Sequence, residues 1–531
     1  MRPLPSSSPT FDLVVVEATP AGIAMAVRAA REGLRVLLTS RGRHVGGMLT
    51  SGVGVWDTLI EGRRAPIYDE VRAKIQEHYR RSYGGDSPQY LASLPAETGH
   101  RNGCFEPSVA ERVFEAVLAA EPGLTVWREC APLEVELNGA QVRAVVFGPA
   151  RRRVEAAVFA DCTYEGDFAA LAGVPCRVGR EGRTEHGETH AGWIMLRPVM
   201  TAPDRALANL AVHRRDWALR RFEMFSAAVD SPAAGAADGR VQACNYRTIL
   251  TRDPANRVAV DRPRDYDRAM FAGLEFDSRV QPLPNGKVSW NRPQLLGRQY
   301  AYPLGGELER KRIRDEHWDA TLGLLYFLQH DAAVPAEVRD EWREYGLARD
   351  EFADNQHRPY EFYVREARRI VGRVTLTQND LVPLDASGQA RPCAEGIVAT
   401  DWYVDIHACG PERVGDSYFE GKMMLHIETV PGQVPYGALV PCNRSNLLVP
   451  VCLSATHVAH SAIRVEPTWM ALGEAAGFAA AQAVRTRTPV AEIEVAVLQQ
   501  TLVASGLVVS PADWIRPTAN ASEINAFAHG L

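Results

Sequence analysis

The chain has 531 residues, too many for one simple core, and its 46% hydrophobic and 23% charged content is that of a globular enzyme. A formal net charge of -6 excludes a general nucleic-acid binder, which needs a clustered basic face. The nine cysteines form no C-x-x-C or Cys/His cluster, so neither a metal site nor a disulfide framework is signalled, and no apolar run approaches a membrane span. In chain order, the opening MRPLPSSSPT is short and polar and lacks the apolar stretch of a signal peptide, so a cytoplasmic protein is expected.

The next segments, FDLVVV, an Ala-rich stretch from Pro20, and LRVLLTS, read as strand, helix and strand of a β-α-β unit. Thr19 suits the helix cap, Pro20 its first position, and Gly22, after Ala21, the place where helix and strand pack closely. The free amides of that end attract a pyrophosphate. Glu17, however, stands where a nucleotide-binding turn normally has glycine. After strand two, Arg43 and His44 lead into Gly46, Gly47 and Met48, a loop whose backbone can approach a cofactor.

A helix is expected from Ser108, ending at Gly123, and then four strands, LTVWREC, LEVELNG, QVRAVVFG and RRVEAAVFADC, as a small antiparallel meander. The acid-bearing loop TYEGD follows. From 185 to 390 the texture becomes aromatic-rich, Arg-rich and Pro-punctuated, with helices such as HWDATLGLLYFLQHD, and reads as an inserted domain. After 391 the β-rich texture returns and ends in a helix beginning near Pro467, packed with small residues that include Ala471, Gly473 and Gly477. Arg464 and Thr468 flank its start, and its dipole favours negative charge such as a reduced flavin ring. The expected architecture is α/β: a Rossmann-like nucleotide-binding domain built from 11–184 and 391–490, an inserted α+β substrate domain at 185–390, and a C-terminal extension at 491–531.

The segments GRHVGGMLTSG, ADCTYEGDFAALAGVPCRVGRE, VQACNYRTILT, YVREARRIVG, VPYGALVP and LSATHVAHSAIRVEPTWMALGEAAG resemble those of FAD-dependent oxidoreductases of the glutathione-reductase-like superfamily, in a branch that also carries the name xanthan lyase. The resemblance spans almost the whole chain. It implies FAD in a Rossmann-like domain with a substrate domain closing over the flavin, and it implies no particular substrate. The chain departs from the pattern twice: Glu17 replaces the first glycine, and Ser40 sits where strand two usually ends in the acid that binds the adenosine ribose. The two changes read as one, with the carboxylate moved to Glu17. The rival reading is weakened nucleotide binding, because a carboxylate near a pyrophosphate is repulsive. His44 stands soon after strand two, where several flavoproteins attach FAD covalently; packing on the cofactor or capping the loop is its plainer role.

Flavin oxidation of an alcohol or amine needs a base and groups that hold the substrate. Asp405 and His407 lie two apart, on one face if the segment is a strand, and an acid beside the imidazole would raise its basicity. Arg365 and Arg368, three apart, share a face if the segment is helical and would clamp a carboxylate or sugar hydroxyls; ion pairs with Glu361 or Glu366 are the alternative. Further polar candidates are Asn245, Tyr246, Arg247, Asn355 and His357, with Trp290, Asn291 and Tyr300 as a sugar-binding mixture. No second dinucleotide fingerprint is apparent. The expectation is an FAD-dependent oxidoreductase for a small polar hydroxylated molecule such as a sugar derivative, with an unidentified electron acceptor and an oligomer open. The alternatives are a lyase or epimerase using flavin redox transiently, or a flavin-deficient binding protein.

Overall fold

The computed structural model describes residues 10–95, 102–198, 226–271, 280–385, 388–425 and 428–514. Strand β1 (Thr10–Val16) is buried along Leu13–Val16, and its unbroken apolar run suits a parallel strand covered on both faces. It pairs in parallel with β2 (Val36–Thr39) on one side and β6 (Arg152–Asp161) on the other. Helix α1 (Pro20–Arg31) makes the crossover between β1 and β2.

LTVWREC does not belong to the meander. Its strand β3 (Leu124–Trp127) pairs in parallel with β2, Val36 opposite Leu124, because the chain reaches it from helix α2 (Pro107–Ala119) and so runs in the same direction as β2. The antiparallel part comprises β4 (Pro132–Asn138), β5 (Gln141–Phe147) and the first half of β6. The expected helix from Ser108 is α2, which starts one residue earlier.

A second sheet is antiparallel: β7 (Thr248–Thr251), β8 (Arg257–Val258), β9 (Gln281–Pro282), β10 (Lys287–Trp290) and β11 (Gly346–Ala348), in the order β8-β11-β7-β10-β9. Helix α3 (Glu307–His330) supplies Leu324, Leu325 and Phe327 to its core, beside Trp290 and Trp342. Trp290 is fully buried, its ring 5.2 Å from that of Trp342, so it is a core residue and not a sugar platform. Buried Lys287 reaches Glu106 and Glu351 at 2.7 Å each, tying this sheet to the start of α2.

Toward the C-terminus, β12 (Val404–Ile406) pairs with β13 (Met423–Leu425), and β14 (Leu447–Leu448) adds in parallel to β6. Helix α4 (Glu466–Thr486) is buried along most of its length and lies across α1. Small residues make that crossing possible. A Cβ on Gly473 would collide with the carbonyl of Ala21, and one on Gly477 would come within 2.8 Å of the Met25 carbonyl. Among the described residues no helix is long and apolar enough to cross a membrane.

Candidate active site

The parallel register brings the carboxyl ends of β1, β2 and β6 level, with Val16 opposite both Thr39 and Asp161. Glu17 and Ser40 therefore emerge side by side. Glu17 holds a left-handed backbone, φ +83°, the conformation a glycine takes without cost and another residue at roughly 1–3 kcal/mol. Its buried carboxylate accepts from the Ser40 hydroxyl at 3.2 Å and from the Arg41 amide at 3.3 Å. Burial raises its pKa, opposed by Arg41. Gly22 is required here because a Cβ would collide with the Glu17 carbonyl. Thr19 caps α1, accepting from the Gly22 amide at 3.2 Å while its hydroxyl donates to the Cys162 carbonyl at 2.9 Å.

Arg41, which the sequence did not single out, binds three acids from separate elements: Glu17 at 3.6 Å, Glu165 at 3.1 Å and Glu361 at 3.5 Å. Its position directly after Ser40 was the available signal. Arg43 lies at the surface, 4.0 Å from Glu129, away from this cluster. His44 is held at both ring nitrogens, by Glu111 at 2.8 Å and Asp354 at 3.0 Å, and stacks 3.5 Å from Tyr360. That geometry is a clamp between segments and leaves neither nitrogen open to a flavin.

The glycine loop is a cradle. Gly46 (φ +94°) and Gly47 (φ +50°) take left-handed backbones, and a Cβ on Gly47 would collide with the Tyr164 hydroxyl and come within 2.9 Å of Pro20. The Met48 amide donates to that hydroxyl at 3.0 Å, and the hydroxyl donates to Glu466 at 2.6 Å. At the start of α4 the second Glu466 oxygen and the Thr468 hydroxyl are buried without a partner. Burial pushes Glu466 up to about 8. The unpartnered Glu466 oxygen and Thr468 hydroxyl at the head of α4, joined through Tyr164 to the 46–48 loop, fit groups that would hold a dinucleotide carrying a flavin. Gly473, expected to lie against the cofactor, instead packs directly on the α1 backbone at Ala21.

Arg365 and Arg368 do not share a face. The segment is not helical, and the two part ways: Arg365 turns to Asn245 at 2.8 Å and Arg368 pairs with Asp167 at 2.8 Å. The Glu366 alternative also fails for both, because Glu366 binds His457 at 2.7 Å. Arg365 is fully buried and donates only to neutral acceptors: the Ala243 carbonyl at 2.7 Å, Asn245 at 2.8 Å and Asn291 at 3.0 Å. Its guanidinium stacks on Tyr363 at 4.3 Å, and burial with nearby Arg464 and Arg247 pushes it down to about 9.

Asp405 and His407 are neighbours, but not as a dyad. Asp405 Oδ2 lies 3.9 Å from His407 Nε2 and only 3.0 Å from Arg464, which also donates to the Tyr363 hydroxyl at 3.0 Å. Arg464 takes up the charge that was expected to make His407 more basic. His407 Nδ1 instead meets the Gln294 side-chain amide at 2.8 Å. Burial, then Arg365, Arg464, Lys422 and Arg247, push its pKa well below the ordinary range. Asn355 and His357 bind their own loop, and the Tyr300 hydroxyl donates to the Cys409 carbonyl at 2.6 Å, so these three hold structure.

Among solved structures, the chain is similar to an anhydrotetracycline hydroxylase from Streptomyces rimosus at 19% identity, covering 36% of this chain and 37% of that one, with a TM-score of 0.23. It is also similar to THI4 from Thermovibrio ammonificans, at 16% identity, 32% and 66% coverage and a TM-score of 0.23. The L-amino acid deaminase from Proteus vulgaris gives 16% identity, 38% and 56% coverage and a TM-score of 0.23. The chain thus matches between 37% and 66% of the length of these proteins, too loosely to carry an argument about activity. No curated protein matches. The FAD dependent oxidoreductase family matches residues 12–502, nearly the full chain. The protein therefore belongs to the FAD-dependent oxidoreductase family, and its cofactor is FAD.

Proposed function

We propose that the enzyme oxidises a small, polar, hydroxylated molecule, such as a sugar derivative, in the chamber between the glycine loop and β12. The observation that carries this reading is the polar wall formed by His407, Gln294, Asn291, Arg247 and Asp405, all partly open to solvent, beside the fully buried Asn245. Three amides, an imidazole, a guanidinium and a carboxylate supply both donors and acceptors, as hydroxyl groups require. The head of α4 is coupled to this wall, because Arg464 just before it holds Asp405.

FAD, when bound, supplies the two-electron acceptor. The protein's share is to orient the substrate and to take its hydroxyl proton. The Gln294 amide can turn its oxygen toward Nδ1, fixing the proton there and leaving Nε2 of a neutral His407 as acceptor. The surrounding cations lower the basicity of that nitrogen and equally favour an alkoxide forming in front of it. Arg365 positions Asn245 and Asn291 from behind and contacts no solvent itself.

Anaerobic titration of the yellow holoenzyme with sugars, polyols, hydroxy acids and amines tests the reading. Bleaching of the flavin by a hydroxylated compound supports it. Bleaching by amines alone, or turnover without any electron acceptor, overturns it.

A further inference from the structure

The chamber wall carries more positive charge than the protein neutralises. Around the Tyr363 ring stand Arg365 at 4.3 Å, Arg247 at 5.4 Å and, on the hydroxyl, Arg464 at 3.0 Å. Asp405 is committed to Arg464, at 3.0 Å. Arg365 has only carbonyl and amide oxygens as acceptors. Among the described residues no carboxylate pairs with Arg365 or Arg247, and the Nε of each is buried without a hydrogen-bond partner. A buried cation without a counter-charge is costly, and proteins ordinarily pair it. Of these unpaired cations, Arg247 is the one partly open to solvent.

The two arginines are not equivalent. Arg365 is fully closed off, so it contributes charge and holds the two asparagines. Arg247 is partly open to solvent, and its backbone abuts the glycine loop so closely that a Cβ on Gly52 would collide with the Arg247 carbonyl. Arg247 is therefore the more accessible of the two, and its backbone is fixed against the segment that follows the glycine loop.

We infer that Arg247, backed by Arg365, is an anchor for a carboxylate on the substrate, so that the enzyme acts on a hydroxylated carboxylic acid, such as a hydroxy acid or a sugar acid, in preference to a neutral sugar. A guanidinium is the side chain suited to this, since its planar donors match the two oxygens of a carboxylate. Arg368 has no part, being spent on Asp167. The inference rests on the oxidoreductase reading for the word substrate, but the anion site itself does not.

The test uses the FAD-loaded protein and non-reducing probes: acetate, oxalate and pyruvate, each against its neutral amide, followed by perturbation of the flavin spectrum and by calorimetry. Carboxylates are expected to bind at least tenfold more tightly than their amides. Arg247→Gln should abolish that preference, and Arg247→Lys should keep part of it. Equal binding of acids and amides to the wild type, which needs no variant, overturns the inference. So does undiminished carboxylate affinity in Arg247→Gln, and a shifted flavin reduction potential in that variant would then assign Arg247 to the ring. If carboxylates bind through Arg247 and yet no hydroxylated compound bleaches the flavin, the anion site stands and the oxidation reading falls.

Discussion

The Ser40 hydroxyl donates to the Glu17 carboxylate at 3.2 Å, joining the carboxyl ends of two adjacent parallel strands. These are the two positions at which the chain departs from the flavoprotein pattern, and they touch. The pairing of β1 with β2 sets the Glu17 carboxylate beside Ser40, where the second strand lacks an acid.

If that carboxylate receives the ribose hydroxyls, Glu17→Gln should weaken FAD binding about tenfold to over a hundredfold, the worth of a charged hydrogen bond. Adding Ser40→Glu to that variant should recover part of the loss. Affinity measured by fluorescence quenching on reconstitution decides it. Unchanged binding in Glu17→Gln would mean that the carboxylate serves only Arg41.

The crossing of α1 and α4 sets a second expectation. At Gly473 the neighbour is the Ala21 backbone, which cannot move aside as a side chain would. Gly473→Ala should already destabilise the protein, and Gly473→Val should lose FAD and fold together if the start of α1, which this contact fixes, receives the pyrophosphate. Thermal melts with and without added FAD report this. A Gly473→Val protein with normal stability would show that the helices can separate.

Glu466 makes stability depend on pH. Its folded pKa, about 8, lies above the usual carboxyl value of 4.5, so the unfolded chain releases this proton first. The contribution is fully present below the unfolded value and is lost as pH rises through about 8. One Glu466 oxygen accepts from Tyr164 and the other has no partner to stabilise a negative charge. Glu466→Gln, which keeps the shape and removes the titration, should be less stable relative to wild type at pH 5 than at pH 9. Parallel pH dependence of the two melting temperatures would remove Glu466 as the source.

How far the sequence carried this follows from the range of each interaction. The β-α-β unit was legible because its signals are local: an apolar run, a cap at Thr19 and Gly22 at packing distance. Arg365 and Arg368 misled because YVREARRIVG has a helical spacing of charge, whereas tertiary partners draw it out. Arg365 turns to Asn245, Arg368 to Asp167, and Arg369 pairs with Glu181 at 3.0 Å. The parallel direction of β3 was equally hidden, since nothing within LTVW records that a helix delivers it. Distance also separated Asp405 from His407, two residues apart in the chain, because Arg464 arrives from 59 positions away.

His407 remains the candidate base, with a changed pH signature. An imidazole next to an acid would titrate above its ordinary value, whereas this one is surrounded by Arg365, Arg464, Lys422 and Arg247 and titrates well below it. It is therefore neutral, able to accept a proton, through the whole neutral range. The acid limb of flavin reduction should lie well under the ordinary histidine value of about 6.5. Folding follows the same sign: a depressed folded pKa gives stability that is present above the unfolded value and lost as pH falls through the folded one. His407→Ala should retain FAD and fold, slow substrate-driven reduction by roughly 10²–10⁴-fold, and lose the acid limb. A bound carboxylate beside Arg247 would offset part of the positive field, so the limb in kcat should lie at higher pH than the limb in kcat/KM. Stopped-flow reduction of wild type and variant across pH separates these outcomes. A variant within a few-fold of wild type with the limb intact places the base elsewhere, and a wild-type limb at or above the ordinary histidine value contradicts the cationic surroundings.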